Sequence, residues 1–145
     1  MNDSRLTIRR LGPADVDAFR LIRLEGLRND PEAFGSTFEK ESSEPEQYFV
    51  DRLTRSAVFG GFVGDRLAGV AGFYSFGDTK SRHKGVLWGM YVAPEARGSR
   101  LATALVETLL EHAAKEVEQV QLTVTASNLR ARRFYERMGF VQYGL

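Results

Sequence analysis

The sequence predicts an α/β protein built on a mixed, mostly antiparallel sheet with flanking helices. Residues 56–76 contain two β-rich runs on either side of Gly64 and Asp65, a tight-turn pair that predicts a hairpin. Residues 86–124 have the pattern of a strand, a helix and a strand, which predicts a parallel pair joined by a crossover helix. With 145 residues, the chain fits one domain, residues 1–145, with a single core.

The first half of the chain predicts a strand, a long helix and a less regular stretch. Alternation over residues 5–11 predicts the strand. Pro13 suits a helix start, and Val16, Phe19 and Ile22 recur at helical spacing until Asn-Asp-Pro at 29–31 predicts the stop. In the mixed stretch that follows we predict a loop and one short helix near residues 46–52, before the hairpin.

The second half predicts a strand over residues 85–93, after a polar connection. Strict alternation would place Val86, Trp88, Met90 and Val92 on one face, and Leu87 and Tyr91 on the other. Leucines at every fourth position from 101 to 109 predict a helix over residues 99–115.

The last part of the chain predicts a strand, a capped helix and the start of a further strand. The strand covers residues 119–126, and Asn128 then suits the N-cap of a helix. Ala131, Phe134, Tyr135 and Met138 form the apolar stripe of that helix, Gly139 suits its end, and residues 140–145 predict one more strand.

Composition and charge exclude several classes of function. The net charge of +1, from 20 basic and 19 acidic residues, gives no general attraction for nucleic acid. The chain has no cysteine, which excludes disulfides, thiolate metal sites and a covalent cysteine intermediate. His83 and His112 are isolated, so we predict no metal site. No apolar run is long enough to span a membrane and no signal peptide is evident, so we expect a cytoplasmic protein without membrane contact.

The segment at residues 97–103 predicts an anion site. It joins a strand to a helix, and the N–H groups of a first helical turn, together with the helix dipole, bind phosphate. Arg97 and Arg100 would add charge-assisted donors. The segment lacks the Lys-Ser/Thr of a P-loop and the glycines of a Rossmann unit, which disfavours nucleotide hydrolysis and hydride transfer. A solvated loop that caps the helix is the alternative.

Two blocks of the sequence resemble the GNAT superfamily of acyl-CoA-dependent N-acetyltransferases. Residues 88–113 resemble its acyl-CoA motif, Q/R-x-x-G-x-G/A, although Arg100 replaces a usual glycine while Ala102 keeps the small final position. Residues 117–145 resemble its N-x-x-A-x-x-x-Y-x-x-x-G-F segment, through Asn128, Ala131, Tyr135, Gly139 and Phe140. The resemblance covers nearly the whole chain.

The resemblance implies acetyl-CoA as co-substrate, lying between two splayed parallel strands. The amide of Val92 or of a neighbour would hold the acetyl carbonyl, residues 97–103 would hold the pyrophosphate, and Tyr135 would protonate the departing thiolate. Asn128 would contact the pantetheine arm, and Arg133 or Arg130 the 3′-phosphate. The implied cofactor-binding residues are Met90, Tyr91, Val92, Arg97, Gly98, Ser99, Arg100, Leu101, Ala102, Thr103, Asn128 and Arg133.

The acceptor side is less specific. The resemblance implies a primary amine of a small molecule, a peptide N-terminus or a lysine, and without cysteine the transfer would be direct, in a ternary complex. Glu25, Glu32 and His83 are open candidates for the general base, as is a water chain, and Phe34 is a candidate for substrate contact. The acidic run at residues 39–47 would favour a cationic amine unless it is merely solvated.

Three alternatives stay open at this point. Tyr135 lies on an apolar stripe and would also suit the core. A non-catalytic acyl-CoA-binding domain of the same fold would accommodate Arg100, and the basic residues at 130–137 would suit an interaction module. The superfamily usually ends with a further strand between the one at residues 120–125 and the one begun at residue 140. We expect this strand to be truncated, disordered or supplied by a partner chain, as in a homodimer, and the chain as given to be unstable alone or to associate through the gap.

Overall fold

A five-stranded sheet forms the centre of the computed structural model, which describes residues 5–76 and 83–143. The strands follow one another across the sheet in chain order: β1 Leu6–Arg10, β2 Ala57–Val63, β3 Arg66–Ser75, β4 Lys84–Val92 and β5 Gln119–Gln121. Strands β1 to β4 pair antiparallel and β5 pairs parallel to β4. The predicted fold class, with its hairpin and its parallel pair, is confirmed; much of the polar connection before β4 lies outside the described residues.

Five helices pack on the two faces of this sheet: α1 Val16–Asn29, α2 Phe38–Ser42, α3 Glu46–Arg55, α4 Leu101–Ala113 and α5 Leu129–Arg137. Four of them lie where the sequence predicts a helix. The sequence prediction missed α2, a short helix capped by the Thr37 side chain, which accepts a hydrogen bond from the Lys40 amide at 3.1 Å. No helix within residues 5–76 and 83–143 is long and apolar enough to cross a membrane.

Each face of the sheet has its own apolar cluster. Leu101, Leu105 and Leu109 of α4 are fully buried against one face, and Phe19 of α1 and Phe49 of α3 are fully buried against the other. Burying a large apolar side chain stabilises the fold by about 1.5–3 kcal/mol. Because these residues recur at helical spacing, they determine which face of each helix packs on the sheet. The sheet is thereby held from both sides, and β4 lies between the two layers.

A bulge in β4 overturns the predicted alternation of that strand. Gly89 has a φ of +65°, and Gly89 and Met90 together lie opposite the single residue Ala71 of β3. The extra residue reverses the pattern, because each further position then points to the other face. Trp88 consequently packs on the α1 and α3 side, whereas Met90 packs on the α4 side. The prediction that these two side chains share a face is wrong.

The end of the sheet also differs from the sequence prediction. Strand β5 stops at Gln121 instead of continuing to residue 126. Residues 140–143 form no strand, and Val141 and Tyr143 are exposed. A strand needs a neighbour for its backbone hydrogen bonds, and within the described residues nothing pairs beyond β5. The predicted strand at 140–143 is therefore wrong, and residues 144 and 145 lie outside the described part.

Candidate active site

The main cleft opens where the two parallel strands separate. Pairing between β4 and β5 ends at Val86 and Gln121, and beyond this point residues 87–92 and 122–125 form opposite walls of a cleft of about 840 Å³. Helix α5 contributes Asn128 and Tyr135 to the same cleft. The geometry leaves backbone groups of both walls without a strand partner, which suits an extended ligand with amide groups of its own.

Tyr135 combines a packed ring with an unbonded hydroxyl. Its ring makes edge contacts with Phe134 and Phe140, at centroid distances of 5.2 and 5.7 Å, and packs against the α4-side core. Among residues 5–76 and 83–143 no group hydrogen-bonds its hydroxyl. Burial raises the pKa of this phenol, so the hydroxyl is protonated at neutral pH. Tyr135 thus lies partly in the core and also lines the cleft.

Asn128 holds the start of α5 in place. Its Oδ1 accepts a hydrogen bond from the Ala131 amide at 3.2 Å, the N-cap interaction that the sequence predicts. Asn128, Ala131 and Tyr135 all line the cleft. The cap therefore fixes the first turn of the helix that presents the Tyr135 hydroxyl.

The loop before α4 forms a cradle of backbone amides. The Ser99 hydroxyl donates to the Ala96 carbonyl at 2.6 Å and accepts from the Leu101 amide at 3.2 Å. The first backbone bond of α4 runs from Ala104, so the amides of Ala102 and Thr103 have no intrahelical acceptor. Both residues line the cleft. Free amides at a helix start are suited to an anion, and anion binding by this segment stays a prediction.

Of the other residues at 98–101 in this loop, two line the cleft and two do not. Gly98 has a φ of +84°, a conformation that favours glycine, and lines the cleft together with Ser99. Leu101 places its side chain in the core, and its amide is already bonded to Ser99. Arg100 is exposed and does not line the cleft. The amide cradle thus forms without the Arg100 side chain.

Arg97 joins the loop to both the sheet and α1. Its Nε donates to the Val92 carbonyl at 3.0 Å, and its Nη2 donates to Asp30 Oδ2 at 2.9 Å. The guanidinium also lies over the Tyr91 ring at 5.7 Å. These contacts make Arg97 a positioning residue for the end of β4 as well as a cation at the cleft wall.

Tyr91 directs its side chain into a polar network on the α1 side. Its hydroxyl donates to Glu25 Oε2 at 2.7 Å and accepts from Asn29 Nδ2 at 3.1 Å. Burial, together with the bond to Glu25, raises the pKa of Tyr91 to about 12. Glu25 is occupied by this bond and does not line the cleft.

The other residues predicted on the acceptor side do not all lie in the cleft. Phe34 lines the cleft, whereas Glu32 and His83 do not. The Glu32 carbonyl accepts a hydrogen bond from Thr125 Oγ1 at 2.8 Å, which ties the loop after α1 to the second wall. His83 is exposed, and its carbonyl accepts hydrogen bonds from the amides of Glu118 and Gln119 at the start of β5. None of the three candidate bases therefore lies on the cleft wall.

A buried ion pair that the sequence does not predict lies beside the bulge. Arg23 of α1 donates from Nε to Glu41 Oε1 at 3.0 Å and from Nη2 to Glu41 Oε2 at 2.8 Å. Burial by itself raises the pKa of Glu41, but the hydrogen bonds and charge of Arg23, with the charge of Arg52, outweigh it and hold that pKa below its ordinary value. Arg23 lies on the buried face of α1. An arginine at an apolar position of a helix is the feature of the sequence that indicates a buried partner.

Arg52 and Trp88 complete this part of the cleft. The guanidinium of Arg52 lies 5.1 Å from the Trp88 ring centroid, and that of Arg23 lies 5.6 Å from it. Arg52 Nη2 donates to the Tyr48 hydroxyl at 2.7 Å and lies 3.7 Å from Glu41 Oε2. The described residues contain no group of three or more metal-ligating side chains.

Of the basic side chains on α5, Arg130 and Arg137 line the cleft. Arg133, which the resemblance implies as one candidate for a phosphate contact, is exposed and does not line it. Arg130, the other candidate, is therefore better placed for that contact.

The separated strands and the free amides at the start of α4 suit an extended, anionic ligand, and comparison with known proteins gives the family. The model of the acetyltransferase (GNAT) family matches residues 24–140, and the chain belongs to this family. It is an acetyl-CoA-dependent N-acetyltransferase. The predicted family, enzyme class and co-substrate are confirmed. The alternative of a non-catalytic acyl-CoA-binding domain is not supported.

The relatives cover most of the chain. An uncharacterized N-acetyltransferase of Archaeoglobus fulgidus is 28% identical over 132 residues, which span 90% of this chain and 89% of the relative. A GNAT-family acetyltransferase structure from Streptococcus pneumoniae has a TM-score of 0.79 at 22% identity, covering 96% of this chain and 86% of that one.

A third comparison is with an aminoglycoside acetyltransferase from an uncultured soil metagenomic sample, whose structure is a complex with sisomicin. It has a TM-score of 0.78 at 17% identity, covering 99% of this chain and 93% of that one. At these identities the two structural comparisons show the shared fold.

Proposed function

We propose that the chain transfers the acetyl group directly to a primary amine of a small molecule in the cleft, with Tyr135 as general acid. The observation that carries the proposal is the position of Tyr135: the residue lines the cleft beside the separated strands, and its hydroxyl has no hydrogen-bond partner within the described residues. The ring is partly buried, and the hydroxyl keeps its donor available for a bound ligand.

The walls of the cleft fit the co-substrate. Acetyl-CoA supplies an activated acetyl thioester. Backbone groups of residues 87–92 and 122–125 would pair with the amides of its pantetheine arm, as in a sheet. The amides of Ala102 and Thr103 would bind its pyrophosphate, with Arg97 and Arg130 as nearby cations. The unpaired bulge in β4 would aim an amide, from Gly89 or Met90, at the acetyl carbonyl.

The chain has no cysteine, so no cysteine thioester can form on it. The amine nitrogen attacks the acetyl carbon, the carbon–sulfur bond breaks, and sulfur leaves with the electron pair of that bond. The main contribution of the protein is then to hold the two substrates in line, which substitutes for a bimolecular encounter.

The proton balance of the reaction needs both an acid and a neutral amine. The Tyr135 phenol remains protonated and donates to the departing sulfur, and the proton lost by the attacking nitrogen restores it. Basic side chains outnumber acidic ones along the cleft, and nearby positive charge lowers the pKa of a bound ammonium group. The acceptor would therefore lose its first proton to water without a carboxylate base.

Initial-velocity kinetics test this proposal. CoA release is measured while acetyl-CoA and a reactive primary amine are varied independently, and the acetylated product is identified by mass spectrometry. A ternary complex predicts intersecting lines in double-reciprocal plots and an N-acetyl product. Parallel lines, or a protein-bound acetyl group in the absence of amine, would contradict direct transfer.

Two further expectations belong to this proposal. We propose that the reaction takes place in the cytoplasm, which localisation of a fluorescent fusion would test. We also propose that a second copy can cover the open edge of β5, giving a homodimer. Light scattering at the mass of one chain across the working concentration range would contradict the homodimer and leave the chemistry unaffected.

A further inference from the structure

The charge balance along the cleft is strongly positive. Within the described part of the chain, Asp30 is the one acidic side chain on the lining, and it is bonded to Arg97. The basic side chains on the lining are Arg23, Lys40, Arg52, Arg97, Arg130 and Arg137. A polycationic acceptor would find no unpaired carboxylate here and would meet several like charges.

The positive charge divides into two groups along β4. Arg97 lies by Val92, near the amide cradle, where phosphates of the co-substrate are expected. Arg23 and Arg52 lie by Trp88, and because of the bulge the distance from Trp88 to Val92 equals three residues of β3, about 10 Å along a strand. The second group therefore lies away from the phosphate end, next to the bulge where transfer is expected.

The second group carries uncompensated charge. The carboxylate of Glu41 accepts both of its short bonds from Arg23, and Arg52 comes only within 3.7 Å of it. Two guanidinium groups thus share one carboxylate, which leaves one positive charge. Lys40, an exposed residue on the same lining, adds another. The acidic run at residues 39–47 therefore does not supply a free anionic surface at this place.

Arg52 is held in place yet retains free donors. Its Nη2 donates to the Tyr48 hydroxyl, and its plane is flanked by the rings of Tyr48 and Trp88, at 4.9 and 5.1 Å. Within residues 5–76 and 83–143, no acceptor bonds its Nε or Nη1. A fixed guanidinium with free donors matches the oxygen pair of a carboxylate or a phosphate.

From this arrangement we infer that the acceptor is a small primary amine that also carries an anionic oxygen group, and that Arg52 binds this group. The inference rests on the proposed function and specifies its substrate class. Arg23 and Glu41 fix the site, and Trp88 sets the distance from the anion to the bulge. The recognition of the anion at one end leaves the amine free to reach the acetyl carbon at the other.

Matched amines test the inference with the full chain and acetyl-CoA. One pair is 4-aminobutanoate and its uncharged amide; a second pair is phosphoethanolamine and ethanolamine; 1,4-diaminobutane is the cationic probe. We expect kcat/KM to be at least tenfold higher for one anionic amine than for its neutral partner, and lowest for the diamine. A larger ratio for the first pair indicates a carboxylate as the bound group, and a larger ratio for the second pair indicates a phosphate. Either result supports the inference.

Variants of Arg52 identify the residue responsible. Arg52→Gln should bring the anionic-to-neutral ratio close to one by lowering kcat/KM for the anionic amine alone, and Arg52→Lys should restore part of the ratio. Arg55→Gln is the matched control, because Arg55 lies on the same helix, is exposed and does not line the cleft. Acetyl-CoA binding, measured by calorimetry, verifies that each variant is folded.

The outcomes separate the two proposals. If neutral or cationic amines are acetylated as well as the anionic ones, or if Arg52→Gln leaves the ratio unchanged, the inference is overturned while the proposed function stands. If acetyl-CoA binds but no amine in the panel or in a broader set of primary amines releases CoA, the proposed function fails and the inference fails with it.

Discussion

Arg23 and Glu41 form a bidentate ion pair in which the Glu41 side chain is fully buried and the Arg23 side chain is 6% exposed. The pair joins α1 to α2 across 18 positions of sequence and keeps the guanidinium beside the backbone of Gly89. It thereby connects the packing of the helical layer to the bulge in β4, the point at which the two substrates are expected to meet.

Removing the carboxylate should destabilise the fold. We expect Glu41→Gln to lower the free energy of unfolding by about 3–5 kcal/mol, because a buried guanidinium is left without its anionic partner. Urea denaturation followed by circular dichroism measures the change. The control is Glu39→Gln, an exposed position on the same helix, for which we expect a change within about 0.5 kcal/mol. Equal stabilities for the two variants would contradict the role of the pair.

The same ion pair should make stability depend on acid pH. The pKa of Glu41 is lower in the folded state, so its contribution is complete above the ordinary value of 4.5 and is lost as pH falls through the folded value. We expect the gap in unfolding free energy between the unmodified chain and Glu41→Gln to be constant above about pH 5.5 and to shrink below about pH 4. Other carboxylates cancel in this difference, and a gap unchanged down to pH 3 would refute the assignment.

Gly89 should tolerate no side chain without cost. Alanine there would adopt a φ of +65°, and its Cβ would lie 3.0 Å from Arg23 Nη1. We expect Gly89→Ala to lower the free energy of unfolding by about 1–2 kcal/mol and to reduce turnover by displacing the bulge. At Gly12, where φ is −127° and a Cβ would meet nothing within 4 Å, alanine should instead stabilise by about 0.4–1 kcal/mol. Thermal unfolding compares the two, and a neutral Gly89→Ala would contradict the bulge.

Arg97 should matter for co-substrate binding. Arg97→Gln removes a cation from the cleft wall and the bonds that hold the loop to Val92 and Asp30, so we expect the Kd for acetyl-CoA to rise about tenfold. Calorimetry at fixed ionic strength measures the change, with Arg55→Gln as the control that keeps the same net charge. An unchanged Kd would show that the loop does not depend on Arg97.

The features predictable from the sequence are those set by short-range periodicity and by spaced motifs. Leucines every fourth residue place α4, Gly64 and Asp65 place the hairpin, and Asn128 with its N-x-x-A-x-x-x-Y spacing places α5 and Tyr135. Each depends on neighbours within a few positions, so local physics decides it.

The features that the sequence did not reveal depend on contacts between distant segments. Glu41 lies among other acidic residues, and nothing in the local sequence distinguishes it from Glu39. It becomes distinct only in the fold, where it pairs with Arg23 on the apolar face of α1. Strict alternation cannot count the extra residue of a bulge, although Gly89 inside a strand was a signal. Residue type and adjacent charges suggest candidates for the base but do not show where a side chain points, and the fold directs Glu25 to Tyr91.

The turnover of Tyr135→Phe at saturating acetyl-CoA and amine tests the central claim most directly. The substitution keeps the ring contacts with Phe134 and Phe140 and removes only the hydroxyl, while Tyr143→Phe, at an exposed position away from the cleft, is the control. We expect kcat to fall by about 10²- to 10⁴-fold in Tyr135→Phe, with the Kd for acetyl-CoA within about twofold of the unmodified chain. A kcat equal to that of the unmodified chain would contradict the assignment of Tyr135 as the general acid.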